Sequence, residues 1–324
     1  MTGEEMSKIS IVMTTYNGEK YVLQQLESLC QQIKRPDEVI IRDDLSTDNT
    51  VQIVNDFIET HNLEGWFIIR NEHNLGWRNN FFEAAKLATG DIIFFSDQDD
   101  IWMDDKLSIM SAAMKEKHMG ALYAEKDIID LNGDPNPSRM EKRSFSGKIS
   151  RIPFSKAFYT MKTLGCCMCV SREILDKYIS LNFPEGGHDS QCGRLALLYS
   201  SLWHLERPVI NYRIHPKNTS GISADVSFGA STLDKRITEV CFQLKWLERV
   251  LLDPDLDEDK KAIISSCHNA IMKRVSYLKG EGVSILELLE YMDYYPNFTM
   301  FMGDYAYKHN MNSTMGRLRW ALRK

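Results

Sequence analysis

The chain has 324 residues, enough for one large domain or for a domain with an appendage, and its formal net charge of −6 argues against a nucleic-acid partner. Hydrophobic residues make up 43% of the chain and charged residues 26%, as in ordinary soluble proteins, and no stretch approaches the ~18 apolar residues of a membrane-spanning helix. Seven cysteines without an N-terminal apolar signal segment favour a reducing compartment, so we expect a cytoplasmic protein.

The N-terminal third of the chain alternates between short apolar runs and amphipathic segments. The predicted strands are 9–13, 38–42, 66–69 and 92–95, and the predicted helices are 21–33, 50–60 and 79–88. Pro36 ends the first of these helices and Gly90 closes the third. Strands that alternate with helices in this way predict an α/β fold, in which right-handed crossovers join a mostly parallel sheet flanked by helices.

The remaining sequence is less regular. Residues 130–146 are rich in Asn, Gly and Pro and predict an exposed loop or hairpin, whereas 190–200 have a helical pattern and 208–215 that of a strand. The cluster Cys166-Cys167-Met168-Cys169 lacks the spacing of zinc ligands, and we interpret it as buried thiols. From about residue 232 the pattern is helical. We therefore divide the chain into a tail, an α/β domain and a helical region, at 1–7, 8–225 and 226–324.

The segment after the fourth predicted strand is the most informative one. Asp97-Gln98-Asp99-Asp100 places three carboxylates within four residues. Carboxylates this close repel one another, and Mg²⁺ or Mn²⁺ bound by them would also hold substrate phosphates. The position of this segment is that expected for a ligand site, because ligands of open α/β sheets bind at the carboxyl ends of the strands. The alternative interpretation is a solvated acidic turn whose aspartate caps the next helix.

Three motifs in order carry a resemblance to a known family. The segments 11–17 (IVMTTYN), 42–48 (RDDLSTD) and 95–102 (FSDQDDIW) resemble the family 2 glycosyltransferases of GT-A fold, over about residues 8–221. Within this family, the chain is most similar to bacterial rhamnosyltransferases and related cell-surface polysaccharide enzymes. This similarity lies in the segment 96–102 (SDQDDIW) and in the pattern Tyr212-Arg213-x-His215…Asn218-x-x-Gly221. The resemblance implies a GT-A, Rossmann-like fold with a C-terminal helical extension.

The resemblance also implies a nucleotide-diphosphate sugar donor that is bound across the strand ends. The residues expected to contact it are Thr14, Tyr16, Asp44, Arg78 and Asp97. Tyr16 can stack on a pyrimidine, and Asp44 can accept a hydrogen bond from the ring N3–H of uracil or thymine. Arg78 would touch the base or diphosphate, and Asp97 the ribose or sugar. Each of three residues has an alternative role: Tyr16 as a turn tyrosine packed on the sheet, Asp44 as a helix N-cap and Arg78 as a surface arginine.

For the metal, the resemblance assigns Asp99 as a ligand and His215 as a further ligand or a diphosphate contact. Imidazole is a better ligand of Mn²⁺ than of Mg²⁺, so His215 would favour Mn²⁺. Asp100 would support the water shell of the ion or cap the following helix. The alternative for His215 is a structural histidine at a strand end.

Asp189 is the candidate catalytic base. It follows Gly186-Gly187-His188, where family members usually carry an acidic pair such as Glu-Asp, so His188 replaces the first acid. A carboxylate that takes the proton of the acceptor hydroxyl, on the face opposite the departing diphosphate, gives inversion at the anomeric carbon. Glu185 is the next carboxylate at this step, and a helix N-cap is the alternative role for Asp189.

These roles predict a metal-dependent inverting glycosyltransferase that moves a sugar from a dTDP- or UDP-sugar to a hydroxyl of a growing, lipid-linked cell-surface polysaccharide. Rhamnose is the first sugar we expect. The alternatives are a noncatalytic nucleotide-sugar or carbohydrate-binding relative, and a nucleotidyltransferase, which would need a Gly-rich, basic phosphate loop after the first strand.

The C-terminal region has no motif that names a function. Residues 315–324 are basic and amphipathic, which predicts contact with an anionic membrane surface; packing on its own domain is the alternative. A helical pair over 232–280 that forms a homodimer is a second expectation for this region.

Overall fold

The computed structural model describes residues 7–135, 145–216, 233–309 and 311. The chain separates into two compact units. The first comprises Met1–Pro153 and Lys162–Asn218, and the second Phe154–Met161 and Thr219–Lys324. The basic segment 315–324, the Asn218–Gly221 part of the last motif and residues 136–144 of the expected loop lie outside the described residues.

The first unit is built around a mixed sheet. In chain order its elements are β1 (Ile9–Thr15), α1 (Val22–Cys30), β2 (Glu38–Asp43), α2 (Thr50–Thr60), β3 (Trp66–Arg70), α3 (Trp77–Ala85), β4 (Ile92–Ser96), β5 (Ile101–Trp102), α4 (Lys106–Lys117), β6 (Ala121–Ile129), β7 (Ile149–Arg151), β8 (Met168–Ser171), α5 (Arg172–Leu181), α6 (His188–Tyr199) and β9 (Leu202–Arg213). A short 3-10 helix at Gly165–Cys167 precedes β8.

The strand order is β3-β2-β1-β4-β8-β6-β9-β5, with β7 paired to β9. The first four strands in this order run parallel, whereas β8 is antiparallel to both of its neighbours. Every residue of β1 and β4 is buried, as expected for strands covered on both faces. The register sets Thr15 beside Asp43 and Met13 beside Ser96, so the turns after β1, β2 and β4 emerge at one edge of the sheet. The predicted α/β fold is confirmed.

The sequence pattern did not predict several helices and strands of the first unit. The helix α4, the strand β6 and the helix α5 were not predicted, and β9 begins at Leu202 rather than at residue 208. In β6 the charged residues 125–127 interrupt the apolar run because this part of the strand is only half-buried. In α4 the buried face includes Lys106 and Ser111, which hides the helical periodicity.

The second unit is helical. Its elements are α7 (Leu233–Leu251), α8 (Glu258–Lys279), α9 (Ile285–Leu289) and α10 (Phe298–Lys308), with 3-10 turns at Phe158–Thr160 and Met292–Tyr294. The side chain of Asp257 caps the first turn of α8, and Gly280 ends that helix in the left-handed conformation. Among the described helices of the chain, none combines the length and the apolar character needed to cross a membrane.

A buried ionic network holds the second unit together. The Asp304 carboxylate is fully buried and accepts hydrogen bonds from Arg236 Nε (2.8 Å) and from Arg274 Nη2 (3.1 Å). Arg274 Nε donates to its other oxygen, and so does the Tyr295 hydroxyl at 2.9 Å. One carboxylate therefore compensates two guanidinium groups, of which that of Arg274 is itself buried.

We predict that Asp304→Ala lowers the free energy of unfolding by about 3–5 kcal/mol, because it leaves a buried guanidinium without its counter-charge. Urea unfolding followed by circular dichroism measures the loss. Asp293→Ala is the matched control: Asp293 pairs with Lys156 at the surface, and its removal should cost less than about 1 kcal/mol. Equal, small effects of the two substitutions would contradict the prediction.

Candidate active site

The centre of the site is a cluster of carboxylates at the end of β4. Asp97 follows that strand directly, Asp99 and Asp100 lie in the turn to β5, and Asp189 lies in the first turn of α6. Burial, with the charges of Asp99 and Asp189, raises the pKa of Asp97 to about 7. Burial and the two neighbouring aspartates also raise the pKa of Asp100 well above its usual range. The candidate base Asp189 thus acts on the same cluster as the acidic motif.

Arg213, at the end of β9, ties this acidic turn to other parts of the first unit. Its backbone N–H donates to Asp100 Oδ1 (3.1 Å) and its Nε to the Asp99 carbonyl (2.9 Å). Its Nη2 donates to Gln24 Oε1 on α1 (2.6 Å), and the guanidinium lies over the Tyr21 ring at 4.9 Å. A buried cation therefore fixes the turn and offsets part of its charge.

The two residues predicted as metal ligands are in direct contact. His215 Nε2 lies 2.6 Å from Asp99 Oδ2, and the imidazole stacks on Tyr21 with ring centroids 5.2 Å apart. An Nε2–H of the ring would donate this hydrogen bond to the Asp99 carboxylate. A cation held by both side chains would take the place of that proton.

The carboxylate cluster fits a divalent cation. Asp100 Oδ2 is buried and has no hydrogen-bond partner among the described residues, which is costly for a carboxylate oxygen. Possible ligand atoms of Asp97, Asp100 and Cys166 all lie within 4.8 Å of one another. The thiols of Cys166, Cys167 and Cys169 are buried and free, as interpreted from the sequence, but the proximity of Cys166 to the aspartates was missed.

A side chain of the acidic turn also fixes the expected nucleotide turn after β1. The Gln98 amide accepts from the backbone N–H of Tyr16 (2.8 Å) and donates to the Tyr16 carbonyl (3.0 Å). Gly18 allows this close approach, since a Cβ there would clash with the amide. The Tyr16 side chain is 49% exposed and free to stack on a ligand, while Thr14 is buried at the strand end. The motif pattern gave no role to Gln98.

Asp44 is buried and organises the loop before α3. Its carboxylate accepts from the amide of Asn71 (2.9 Å) and from the backbone N–H groups of Leu75 (2.7 Å) and Gly76 (2.9 Å). It caps no helix, because α2 begins at Thr50 with Asn49 as its N-cap. A carboxylate has about four acceptor positions, so one remains for a ligand such as a pyrimidine N3–H.

Arg78 lies on the surface in the first turn of α3. Its guanidinium covers the Trp77 ring at 4.5 Å, and a Cβ built on Gly187 would lie 3.3 Å from that ring. Arg78 is therefore on the side of the site near the turn of Asp189. Its stacked, exposed guanidinium leaves its donors available to a phosphate or a base.

His188 occupies an apolar cage directly before Asp189. Its ring lies 4.0 Å from Phe81 and 4.4 Å from Phe95, measured between centroids, and neither ring nitrogen has a hydrogen-bond partner among the described residues. The ring also packs on Gly165, where a Cβ would clash with it. Burial lowers the pKa of His188 to about 4, so the ring is neutral near pH 7. An ionised acid at this position would be buried in the same cage without a partner, so a neutral ring fits it better.

His188 gives a testable pH dependence. As the pH falls from about 6.5 to 4, His188 takes up a proton in the unfolded chain but stays neutral in the folded protein. Because the unfolded state binds the extra proton, His188 lowers the unfolding free energy over this range by about 3 kcal/mol in total. His188→Leu cannot take up this proton. We expect the unfolding free energy of the variant, relative to that of the wild type, to rise by that amount between about pH 7 and pH 4 in urea titrations. Parallel curves for the two proteins would show that the ring is hydrated.

Comparison with known proteins shows the family to which the chain belongs. Residues 10–179 match the profile described as Glycosyl transferase family 2, which is more than half of the chain. The chain belongs to this family. It is 34% identical over 182 residues to the poly(ribitol-phosphate) beta-N-acetylglucosaminyltransferase TarS of Staphylococcus aureus, over 56% of this chain and 30% of TarS. It is 29% identical over 231 residues to the dTDP-rhamnosyl transferase RfbG of Shigella flexneri, over 67% of this chain and 76% of RfbG.

Solved structures support the fold. S. aureus TarS 1-349 in complex with UDP-GlcNAc superposes with a TM-score of 0.58 and 21% identity, covering 92% of this chain and 81% of that one. The mannosyltransferase PcManGT of Pyrobaculum calidifontis, in complex with GDP-Man and Mn²⁺, gives 0.52 and 16%, covering 94% and 86%. The GT-A fold expected from the resemblance is confirmed, with its C-terminal helices.

Proposed function

We propose that this protein is an inverting glycosyltransferase that binds a nucleotide-diphosphate sugar with the help of a divalent cation. The observation that supports it most is the crowding of Asp97, Asp99, Asp100 and Asp189 at the end of β4, within electrostatic reach of one another. A noncatalytic relative would have no need of this repulsion. The membership of family 2 and the GT-A fold point in the same direction.

In this proposal Asp99 and His215 would hold the cation. Bound there, the ion would neutralise charge on the donor diphosphate as the sugar leaves. Mn²⁺ is the first choice because of the imidazole, with Mg²⁺ as the alternative. Asp97 binds ribose or sugar hydroxyls, and Tyr16 stacks on the base.

Asp189 is proposed as the general base. Its carboxylate accepts the backbone N–H of Ser190 at 2.6 Å, which orients it at the start of α6, where the helix dipole favours negative charge. The acceptor hydroxyl gives its proton to this carboxylate while its oxygen attacks the anomeric carbon and the bond to the diphosphate breaks. Attack opposite the leaving group inverts the configuration.

For the donor we propose a pyrimidine diphosphate sugar. TarS is crystallised with UDP-GlcNAc, and RfbG is named for dTDP-rhamnose. Uracil and thymine share the N3–H that the remaining acceptor position of Asp44 would recognise. Rhamnose is the first sugar to test, because RfbG is matched over 76% of its length. Arg78 and Thr14 complete the proposed nucleotide contacts.

The proposed acceptor is a growing, lipid-linked cell-surface polysaccharide, and the place of reaction is the cytoplasmic face of the membrane. The name of TarS gives poly(ribitol-phosphate) as its acceptor, which supports a polymeric acceptor for this protein. We propose that the C-terminal region, 226–324, contacts the membrane surface or forms a homodimer.

Separating donor binding from transfer tests the catalytic part of the proposal. We expect Asp189→Asn to bind nucleotide within about threefold of wild type but to lose about 10²–10⁴-fold in transfer, because only proton removal is lost. Calorimetry measures binding, and release of nucleoside diphosphate in the presence of extracted lipid-linked saccharides measures transfer. Asp176→Asn, an exposed position on α5, is the control. If transfer survives in Asp189→Asn, the base lies elsewhere, and Glu185 is next to test.

A further inference from the structure

A sulfur ligand lies inside the carboxylate cluster. Cys166, in the short 3-10 helix before β8, is buried, and its thiol lies beside the carboxylates of Asp97 and Asp100. Possible ligand atoms of Asp97, Asp100 and Cys166 lie within 4.8 Å of one another. Hard ions such as Mg²⁺ do not select sulfur, whereas zinc-like ions bind thiolate and carboxylate together.

An unpaired buried oxygen points to a ligand at this position. Asp100 is 1% exposed, and its Oδ1 accepts the backbone N–H of Arg213. Its Oδ2 has no hydrogen-bond partner among the residues that the structure describes. Since an unpaired buried carboxylate oxygen is costly, a bound cation accounts for this atom better than the protein around it does.

Lys106 balances the charge of such a site. It is fully buried, its Nζ donates to the Cys166 carbonyl at 2.6 Å, and the ammonium lies 3.3 Å from the centroid of the Trp102 ring. It also acts electrostatically on Asp100 and on the thiols of Cys166 and Cys167. Two carboxylates and one thiolate carry three negative charges, and a divalent ion together with Lys106 carries three positive ones.

We propose that Asp97, Asp100 and Cys166 form a binding site for a thiophilic divalent ion of the zinc class, with ligands different from the Asp99–His215 pair. The thiol proton, and any proton held by the carboxyl groups of Asp97 and Asp100, leaves to solvent as the bonds to the metal form. Ligand atoms of a tetrahedral zinc lie roughly 3.5 Å apart, so small rotations of the carboxylates close the observed spacing.

A zinc-class ion at this site would inhibit sugar transfer, because the ion and the nucleotide sugar would share Asp97. Asp97 is also a proposed donor contact, so the ion at this site would compete with the nucleotide sugar. This consequence rests on the proposed function, whereas ion binding by the three residues does not. The site would make the enzyme sensitive to zinc-like ions that do not replace its working cation.

Cobalt(II) is the probe, because a sulfur–cobalt bond gives a charge-transfer absorption band that oxygen and nitrogen ligands do not give. In the full chain, kept reduced with a phosphine, we expect one equivalent of Co²⁺ to produce the band. Cys166→Ser should abolish the band and weaken Co²⁺ binding at least tenfold. Cys241→Ser, a half-buried thiol of the second unit, should change neither. Asp100→Asn, close in shape, should also weaken binding, and circular dichroism checks that each variant is folded.

The outcomes separate this inference from the proposed function. Asp99→Ala should keep the cobalt–sulfur band, because Asp99 is not a ligand of this site. The inference is overturned if the cobalt–sulfur band persists in Cys166→Ser, or if folded wild-type protein gives no such band. Either result leaves the glycosyltransferase proposal standing. Conversely, the band can be present in a protein that binds no nucleotide, in which case the proposed function fails alone.

Discussion

Electrostatic repulsion at the end of β4 is the constraint on which the rest of the first unit depends. Asp97, Asp99 and Asp100 follow a strand that is buried on both faces, and Asp189 adds its charge from α6. No chain would keep these carboxylates together without compensation. It comes from three residues: the cations Arg213 at the end of β9 and Lys106 in α4, and His215, whose ring contacts the Asp99 carboxylate. We propose that a bound cation offsets the negative charge that remains.

The same turn also sets the geometry of the nucleotide side. Because the Gln98 amide both accepts from and donates to the backbone of Tyr16, the acidic turn and the turn after β1 are joined directly. Asp44 plays a comparable part for the loop that leads into α3 and Arg78. The proposed contacts with base, diphosphate and sugar thus rest on three turns at one edge of the sheet, which pre-organises them for a single ligand.

Local sequence patterns were sufficient to predict the helices and strands whose residues are uniformly buried on the faces that pack. The apolar runs of β1, β2 and β4 predicted those strands, and the predicted helix 50–60 coincides with α2. The pattern did not reveal the strand where polar residues are partly buried, as in β6. The contact of Gln98 with Tyr16 joins residues 82 positions apart, and the proximity of Cys166 to Asp97 also depends on the fold. The residue roles themselves remain predictions.

Calorimetric titration of UDP, dTDP and GDP, each with and without Mn²⁺, tests the central claim most directly. The account predicts that a pyrimidine diphosphate binds only when Mn²⁺ is present, and that Asp99→Ala weakens this binding at least tenfold. Binding that is equally strong without the metal, or unchanged in Asp99→Ala, would contradict the account. So would the absence of binding by any of the three nucleotides to folded wild-type protein.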